Sequence, residues 1–514
     1  MRESVKSQDS AEKAEYTALS TMADTTAATD LYPTVRSTQK NWSKSNIISL
    51  IILCFVNLIN YMDRYTVSAI LEEISKVLCG DGEVCSKQKQ GFLQTAFLLV
   101  YLLVAPVFGF LGDRFSRKYI MAAGVFLWGG ISLTASFMTS YWPFLILRAC
   151  IAIGESAFST IAPTVLADLF DENSRSLVLG IFYLAIPVGS GLGYVIGGAP
   201  ADWQNGLRIT PGMNFVAVGL ILFFLTDPPR GISEHNQERK SYFEDLIYIL
   251  GVKSYLLNVA GFTCVTFTTG ALSWYGPLYV SQGIQSYNKT MDLDGTDLEG
   301  VPIHPDSVAF IFGAVLMVSG ILGVLGGMTL SRILRPKYPK IDPLICGVSI
   351  LISCPLLIWG LLSVKDNIIL SFAIFTLGST FLNMNWSISV DMSLYVIIPV
   401  RRSTAEAIHL MATHALGEAG APYIIGLISD SIIKSSCPED DQDCLDSSLS
   451  SYLGMQKALY LVFVLLVLGG ILFILAALWI VPEKHTVDRL LEEQLEQLEN
   501  KRREENEQKD IKLL

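Results

Sequence analysis

Twelve apolar stretches, each long enough to cross a bilayer, recur along the 514-residue chain with only short polar interruptions. They fall near residues 46–71, 91–112, 119–138, 142–167, 176–199, 208–227, 254–280, 307–331, 343–363, 367–397, 404–428 and 455–481. Crossing ~30 Å of hydrocarbon takes about 20 helical residues. Lipid offers no partner to an unpaired backbone amide, so these runs are read as helices, and they are too long for the strands of a barrel. With 51% apolar and 17% charged residues, a water-soluble globule would leave too much apolar surface wet. The expectation is an all-α integral membrane protein with twelve transmembrane helices.

The net charge of −11 resides in tails and loops rather than on one face, which gives nucleic-acid binding no support. Residues 1–45 are polar, with no apolar run before Asn46, and read as a disordered cytosolic tail rather than a signal peptide. With the N-terminus in the cytosol, the loops carrying Arg114/Arg117/Lys118, Arg230/Arg239/Lys240, Arg332/Arg335/Lys337/Lys340 and Arg401/Arg402 all fall on the cytosolic side, as the positive-inside rule requires. The same topology puts Cys79/Cys85, Cys437/Cys444 and the sequon at Asn288 outside. The two close cysteine pairs are candidate disulfides, the alternative being that they stay reduced, and Asn288 is a candidate glycan acceptor.

Residues 228–253, opening Pro228-Pro229-Arg230-Gly231, form the natural cytosolic linker between two six-helix bundles, 46–227 and 254–481. Residues 482–514 make a charged cytosolic tail in which Leu490, Leu491, Leu495 and Leu498 recur at near-helical spacing. The two halves look like a diverged repeat. A shift of 218 residues lays Gly109, Arg114 and Arg117 onto Gly327, Arg332 and Arg335, and Tyr194-Val195-Ile196-Gly197 answers Tyr423-Ile424-Ile425-Gly426 further on.

The chemistry begins in the first helix, where Asn60-Tyr61-Met62-Asp63-Arg64-Tyr65 sets an acid beside a base. A charge at the bilayer centre costs ~2.5–3.5 kcal/mol or more, so both should face water or a partner. In the fourth helix Arg148 and Glu155 are seven residues apart and share a face. At ~1.5 Å per residue Asp63 lies about 26 Å from Asn46, and Arg148 about 10 Å from the outer start at Tyr141, which sets them at similar levels with Glu155 deeper. Burial and a nearby arginine pull a carboxyl's proton affinity in opposite directions, so Asp63, Arg64, Arg148 and Glu155 are the candidates for proton coupling and gating. The competing reading is a permanent ion pair that only ties helices one and four together.

Gly109-Phe110-Leu111-Gly112-Asp113-Arg114-Phe115-Ser116-Arg117-Lys118, at the cytosolic exit of helix two, resembles the signature loop of the major facilitator superfamily. That resemblance implies two pseudo-symmetric six-helix bundles, the major facilitator fold. Gly109, Asp113, Arg114, Arg117 and Lys118 are the candidates for a cytosolic gate. Glycine would let helices approach, and the acid would sit against another helix's N-terminus. Ser116 replaces the usual glycine, and the second copy has Ser331 in place of the acid, so gate charge is expected to be strong in the first half and weak in the second.

Further residues at cavity-compatible depth are Asn60, Tyr65, Trp274, Asn383, Asn385, His414 and Glu418, here taken as substrate-cavity candidates. Glu406, three positions after Ser403, fits a capping box better than a ligand. His409 and His414 are five apart and on different faces, and no His-Glu-x-x-His or Cys-x-x-Cys spacing occurs, so no metal site is read. No nucleophile–histidine–acid arrangement supports an enzyme.

The strings Asn60–Val67, Ala105–Tyr119, Gly154-Glu155-Ser156-Ala157 through Asp168-Leu169-Phe170, Ile186–Gly193 and Arg401–Glu406 resemble those of the Spinster-like transporters across residues 46–481. The resemblance implies export of a lysolipid, either a lysophospholipid from lysosomes or sphingosine-1-phosphate through the plasma membrane. It also implies that the acids and arginine at Asp63, Arg64 and Glu155 serve proton coupling between helices one and four. The proton would be the coupling ion with no other cofactor, and the protein would act as a monomer on a lipid-like substrate. An Asp-Arg pair in helix one also occurs in sialin-type carriers, so a proton-coupled organic-anion porter is the alternative. Tyr16-Thr17-Ala18-Leu19 and Tyr32-Pro33-Thr34-Val35 fit sorting signals for late endosomes and lysosomes, with the plasma membrane as the other destination.

Overall fold

The computed structural model describes residues 42–79, 85–170, 172–199, 202–227, 242–290, 307–398, 401–437, 444, 447–493 and 496. The sorting signals, most of the linker with Arg230, Arg239 and Lys240, the leucines at 495 and 498, and the side chains of Asp113, Asn288 and Ser403 lie outside the described parts.

The first half comprises α1 (Lys44–Ala69), a short α2 (Leu71–Leu78), α3 (Lys87–Arg114), α4 (Arg117–Ala135), α5 (Tyr141–Leu169), α6 (Glu172–Gly198) and α7 (Trp203–Phe224). A short helix, α8 (Tyr242–Gly251), precedes the second half: α9 (Lys253–Thr290), α10 (Val308–Leu334), α11 (Ile341–Leu362), α12 (Ile368–Asn383), α13 (Asn385–Tyr395), α14 (Arg402–Ala412), α15 (Gly420–Ser436) and α16 (Ser448–Ala476). Several spans start on a side chain that accepts one of the free N–H groups of the first turn: Ser43 for α1, Ser86 for α3, Asn367 for α12 and Ser447 for α16.

Among the described residues, eleven spans are long and apolar enough to cross a membrane, α12 and α13 together making one of them. The span expected at 404–428 is not one continuous apolar helix. It runs Arg402–Ser436 as α14, a π-helical segment Thr413–Ala419 and α15, and its charged side chains and the widened turn break the apolar run. Single π segments of this kind often mark functional positions. The span expected at 367–397 is likewise interrupted, at Met384.

The helix pairings repeat between halves. In the first, α4 packs on α5 and α7, and α3 on α5; in the second, α11 packs on α12 and α16, and α10 on α12. Ser45 meets Thr226, and the backbone amides of Lys253 and Ser254 donate to Glu483, so both halves begin and end at one face, the tail end. The disulfides Cys79–Cys85 and Cys437–Cys444 lie at the opposite face.

The halves meet through α3 on α15 and α6 on α10. Gly91 and Gly109 of α3 are 18 residues, or about five turns, apart and so share a face. A Cβ at Gly91 would collide with the Pro422 carbonyl of α15, whereas one at Gly109 would meet nothing within 4 Å. α3 therefore meets α15 backbone to backbone at the disulfide end, and toward the tail end it has open space beside Gly109.

Candidate coupling and gating site

Asp63 and Arg64 are consecutive on α1, so they point about 100° apart and reach different neighbours. Asp63 turns into its own bundle. Its Oδ1 accepts from Ser132 Oγ (3.1 Å) and Thr210 Oγ1 (2.6 Å), and its Oδ2 from Trp128 Nε1 (3.2 Å) and an Arg148 amine (3.3 Å). Four donors from α4, α5 and α7 thus fill both oxygens of one buried carboxyl.

Arg64 turns toward α5, where its Nε donates to Glu155 Oε2 at 2.9 Å. Its guanidinium lies 5.1 Å from the ring centres of Tyr61, Phe97 and Tyr101, an aromatic surround that suits a weakly hydrated cation. Arg148 shares the Phe97 ring at 4.7 Å. The pairs are Arg64 with Glu155 and Arg148 with Asp63, and all four side chains are buried. Among the described residues, Glu155 Oε1 and Arg148 Nε have no hydrogen-bond partner. The groups that act on Glu155 are Arg64 and Asp63 of α1 and Arg148 of its own helix.

Across the interface, the π segment presents a second acid–base pair, His414 Nδ1 with Glu418 Oε2 at 2.7 Å. Glu418, Tyr65, Gln94, Gly270, Ser273 and Trp274 line a space on the scale of one water molecule between the bundles, and the Glu418 charge acts on Arg64. His409 points instead into the second bundle, against Ser393 Oγ at 2.9 Å, in keeping with the different faces read from the spacing.

The cavity candidates divide. Tyr65, Trp274 and Glu418 face the other bundle, with His414 bound to Glu418, though Trp274 is held in the closed end, donating to the Gln90 carbonyl. Asn60 is buried inside the first bundle and Asn385 inside the second, where its amide donates to the Leu382 carbonyl at the break between α12 and α13. Depth along a span fixes level but not direction, so the sequence alone does not separate these two from residues that face the other bundle. Asn383 donates to Ser379 of its own helix. Glu406 does not cap: α14 begins at Arg402, and Glu406 lies within the helix with Oε2 buried and unpartnered.

In the motif loop, Gly112 packs on Ile161 while Gly109 is free of close contact. Arg117 pairs with Asp168, Arg114 stacks over Phe110 at 4.1 Å, and Lys118 is half-buried. The expected weakness of the second copy is overturned. Arg335 pairs with Asp342 (2.7 Å) and Asp391, and Asp342 also accepts from Ser331 (2.6 Å) and Tyr395 (3.1 Å). The acid missing at position 331 is supplied by α11 and α13 instead. Arg117 with Asp168 and Arg335 with Asp391 are matching contacts of the repeat.

Sequence reading missed Trp128, Ser132 and Thr210, the donors to Asp63, and Asp430 of α15. The Asp430 oxygens accept the backbone N–H groups of Lys87 and Gln88 at 2.9 and 2.8 Å, capping α3 from the other bundle. Tyr275 Oη donates to the Lys87 and Pro422 carbonyls beside it.

Residues 53–432 match the Major Facilitator Superfamily. The chain is 40% identical over 498 residues to Protein spinster of Drosophila melanogaster, covering 88% of this chain and 79% of that one. It is 36% identical over 481 residues to Protein spinster homolog 3 of Danio rerio, with 91% and 92% covered. A solved structure of a bacterial homolog to human lysosomal transporter, Spinster, in an inward-facing and unoccupied conformation, superposes with a TM-score of 0.72 at 18% identity, over 86% of this chain and 99% of that one. At that identity the likeness carries the fold alone.

Proposed function

The chain belongs to the spinster family of the major facilitator superfamily, a family of membrane transporters and not of enzymes, and from that premise we propose that it carries a lysolipid by alternating access with a proton as the coupling ion. The observation that carries this reading is the contrast between two buried acids. Asp63 has every acceptor position occupied, whereas Glu155 offers one oxygen to Arg64 and has the other free. Asp63 holds the bundle together, and Glu155 takes and releases the proton.

Protonation of Glu155 removes the carboxylate that Arg64 pairs with, which frees a guanidinium in an aromatic surround for a phosphate head group. Lysophospholipids and sphingosine-1-phosphate both present one phosphate and one acyl or alkyl chain, which a cavity with apolar walls and a cationic site, opened between the bundles during the cycle, would suit. Release of the substrate returns Arg64 to Glu155 and expels the proton. Gating falls to the Arg117–Asp168 and Arg335–Asp342–Asp391 clusters at the tail end, which we place in the cytosol with both termini. We place its action in the late endosomal or lysosomal membrane, with the plasma membrane as the alternative.

Proteoliposomes under an imposed proton gradient test the proposal by comparing uptake of lysophosphatidylcholine, sphingosine-1-phosphate and a small organic acid. Saturable, gradient-stimulated uptake of an intact lysolipid is expected. Uptake of the water-soluble acid with indifference to both lipids would replace this reading with an organic-anion porter.

A further inference from the structure

The core of the first bundle contains two polar layers stacked one helical turn apart. The layer nearer the disulfide end is Asp63 with its donors Ser132, Arg148 and Thr210, fully paired. The second follows from helix direction. α1 and α4 run toward the disulfide end while α5 and α7 run away from it, as the contacts of Ser45 and Ser49 with Thr226, and of Ser116 with Asp227, require. Asn60 therefore lies one turn tailward of Arg64, Trp128 one turn tailward of Ser132, and Asn214 one turn tailward of Thr210, and Glu155 joins this level through its neighbour Gly154, which packs on Trp128. Packing sets α4, α5 and α7 at this level. A Cβ on Gly129 would sit 2.9 Å from that of Asn214, and one on Gly154 would sit 2.7 Å from that of Trp128.

In this tailward layer both polar atoms of Asn60, both of Asn214 and Glu155 Oε1 find no partner among the protein's described atoms, although Asn60 is 1% exposed and Asn214 and Glu155 are 0% exposed. Two carboxamides and a carboxyl oxygen at one level supply both donors and acceptors, which a water molecule needs and an apolar void lacks. Such groups are rarely left orphaned in a folded interior.

We propose that Asn60, Asn214 and Glu155 Oε1 form an internal water-binding site in the first bundle, against the face of Trp128. It deepens the reading of Glu155 as the proton carrier: bound water gives Oε1 its partner when the carboxyl is ionised, while Arg64 occupies Oε2. Arg64, Asp63 and Arg148 are the charges that face this carboxyl, and α4 and α7 bring Trp128 and Asn214 to the same level, with Ser132 and Thr210 one turn away on Asp63.

X-ray radiolytic footprinting of the full chain in lipid nanodiscs reads bound water directly, because hydroxyl radicals formed from it label the side chains beside it. Corrected for intrinsic reactivity, Trp128 is expected to label about tenfold faster than Phe473, an equally buried ring of the second bundle. That excess should vanish in N60L/N214L, or in N214L alone if the double variant does not fold, with Phe473 unchanged as the control. Labelling of Trp128 at the Phe473 rate, as a direct amide–amide contact would give, overturns the site, as does an excess that survives the substitutions. The readout needs no transport, so a Glu155→Gln variant that keeps its pH response would remove the proton reading and leave this one standing.

Discussion

Glu155 gives one carboxyl oxygen to Arg64 at 2.9 Å and finds no partner for the other among the described residues, while Asp63, next to Arg64 in the chain, has both of its oxygens filled. Two acids of like charge and like burial in one bundle are therefore set to different tasks by their neighbours. A saturated acceptor must lose hydrogen bonds to change state. A half-free one exchanges one partner for a proton and leaves the rest of its surroundings in place.

Glu155→Gln retains a side-chain oxygen for Arg64 and loses the titrating group. Gradient-driven transport is expected to fall about 5- to 150-fold, the range of ordinary coupling energies, and the remaining activity to be flat with pH between about 5 and 8 where the parent responds. Transport rates in proteoliposomes across that range give the answer, and a variant as pH-responsive as the parent would sink the assignment.

Asp63→Asn has the opposite signature. The amide has one acceptor oxygen for four donors, its own NH2 confronts Trp128 or Ser132, and Arg148 stays buried without its ion-pair partner. Breaking a buried pair in this way costs about 3–5 kcal/mol. Thermal unfolding in detergent should show a clear loss for Asp63→Asn and a much smaller one for Glu155→Gln. Equal losses would mean that both acids are architectural.

What the sequence made legible follows from how strongly each feature is forced. Spans such as α5 and α16 are dictated by the bilayer and could be read by length alone, and the acid–base pairs stood out because a charge in lipid needs a reason. Ser132 and Thr210 did not, since a hydroxyl in a span can bond its own helix and carries no mark of a distant partner. The π segment at Thr413–Ala419 has no residue pattern that separates it from an α-helix. The second-half cluster around Arg335 is hidden because residues 331–340 hold no acid, whereas the fold delivers Asp342 and Asp391 from other helices.

That cluster makes its own prediction. Asp342 is fully buried and depends on Arg335 for its counter-charge. Arg335→Ala should destabilise the protein by about 3 kcal/mol, and Arg335→Lys should recover only part, because a single ammonium cannot bridge two carboxylates as a planar fork does. Melting temperatures of the two variants decide it, and full recovery by lysine would show that charge alone matters.

The last prediction concerns the closed end. Asp430 of α15 accepts two backbone N–H groups from the first turn of α3, where an anion is favoured by the free amides and the helix dipole. Cys85 lies two residues before Lys87 and Cys437 seven residues after Asp430, so each disulfide braces one side of this contact. Hydrogen bonds to a charged group contribute about 1.5–3 kcal/mol, and Asp430→Ala should therefore raise the population open at the disulfide end about 10- to 100-fold. Spin labels at Lys89 and Lys434, both exposed on opposite sides of the contact, should report a longer-distance component in the variant. Mild reduction of the two disulfides should move the distribution in the same direction. An unchanged distance distribution in both cases would show that the bundles are held shut by the α3–α15 and α6–α10 packing alone.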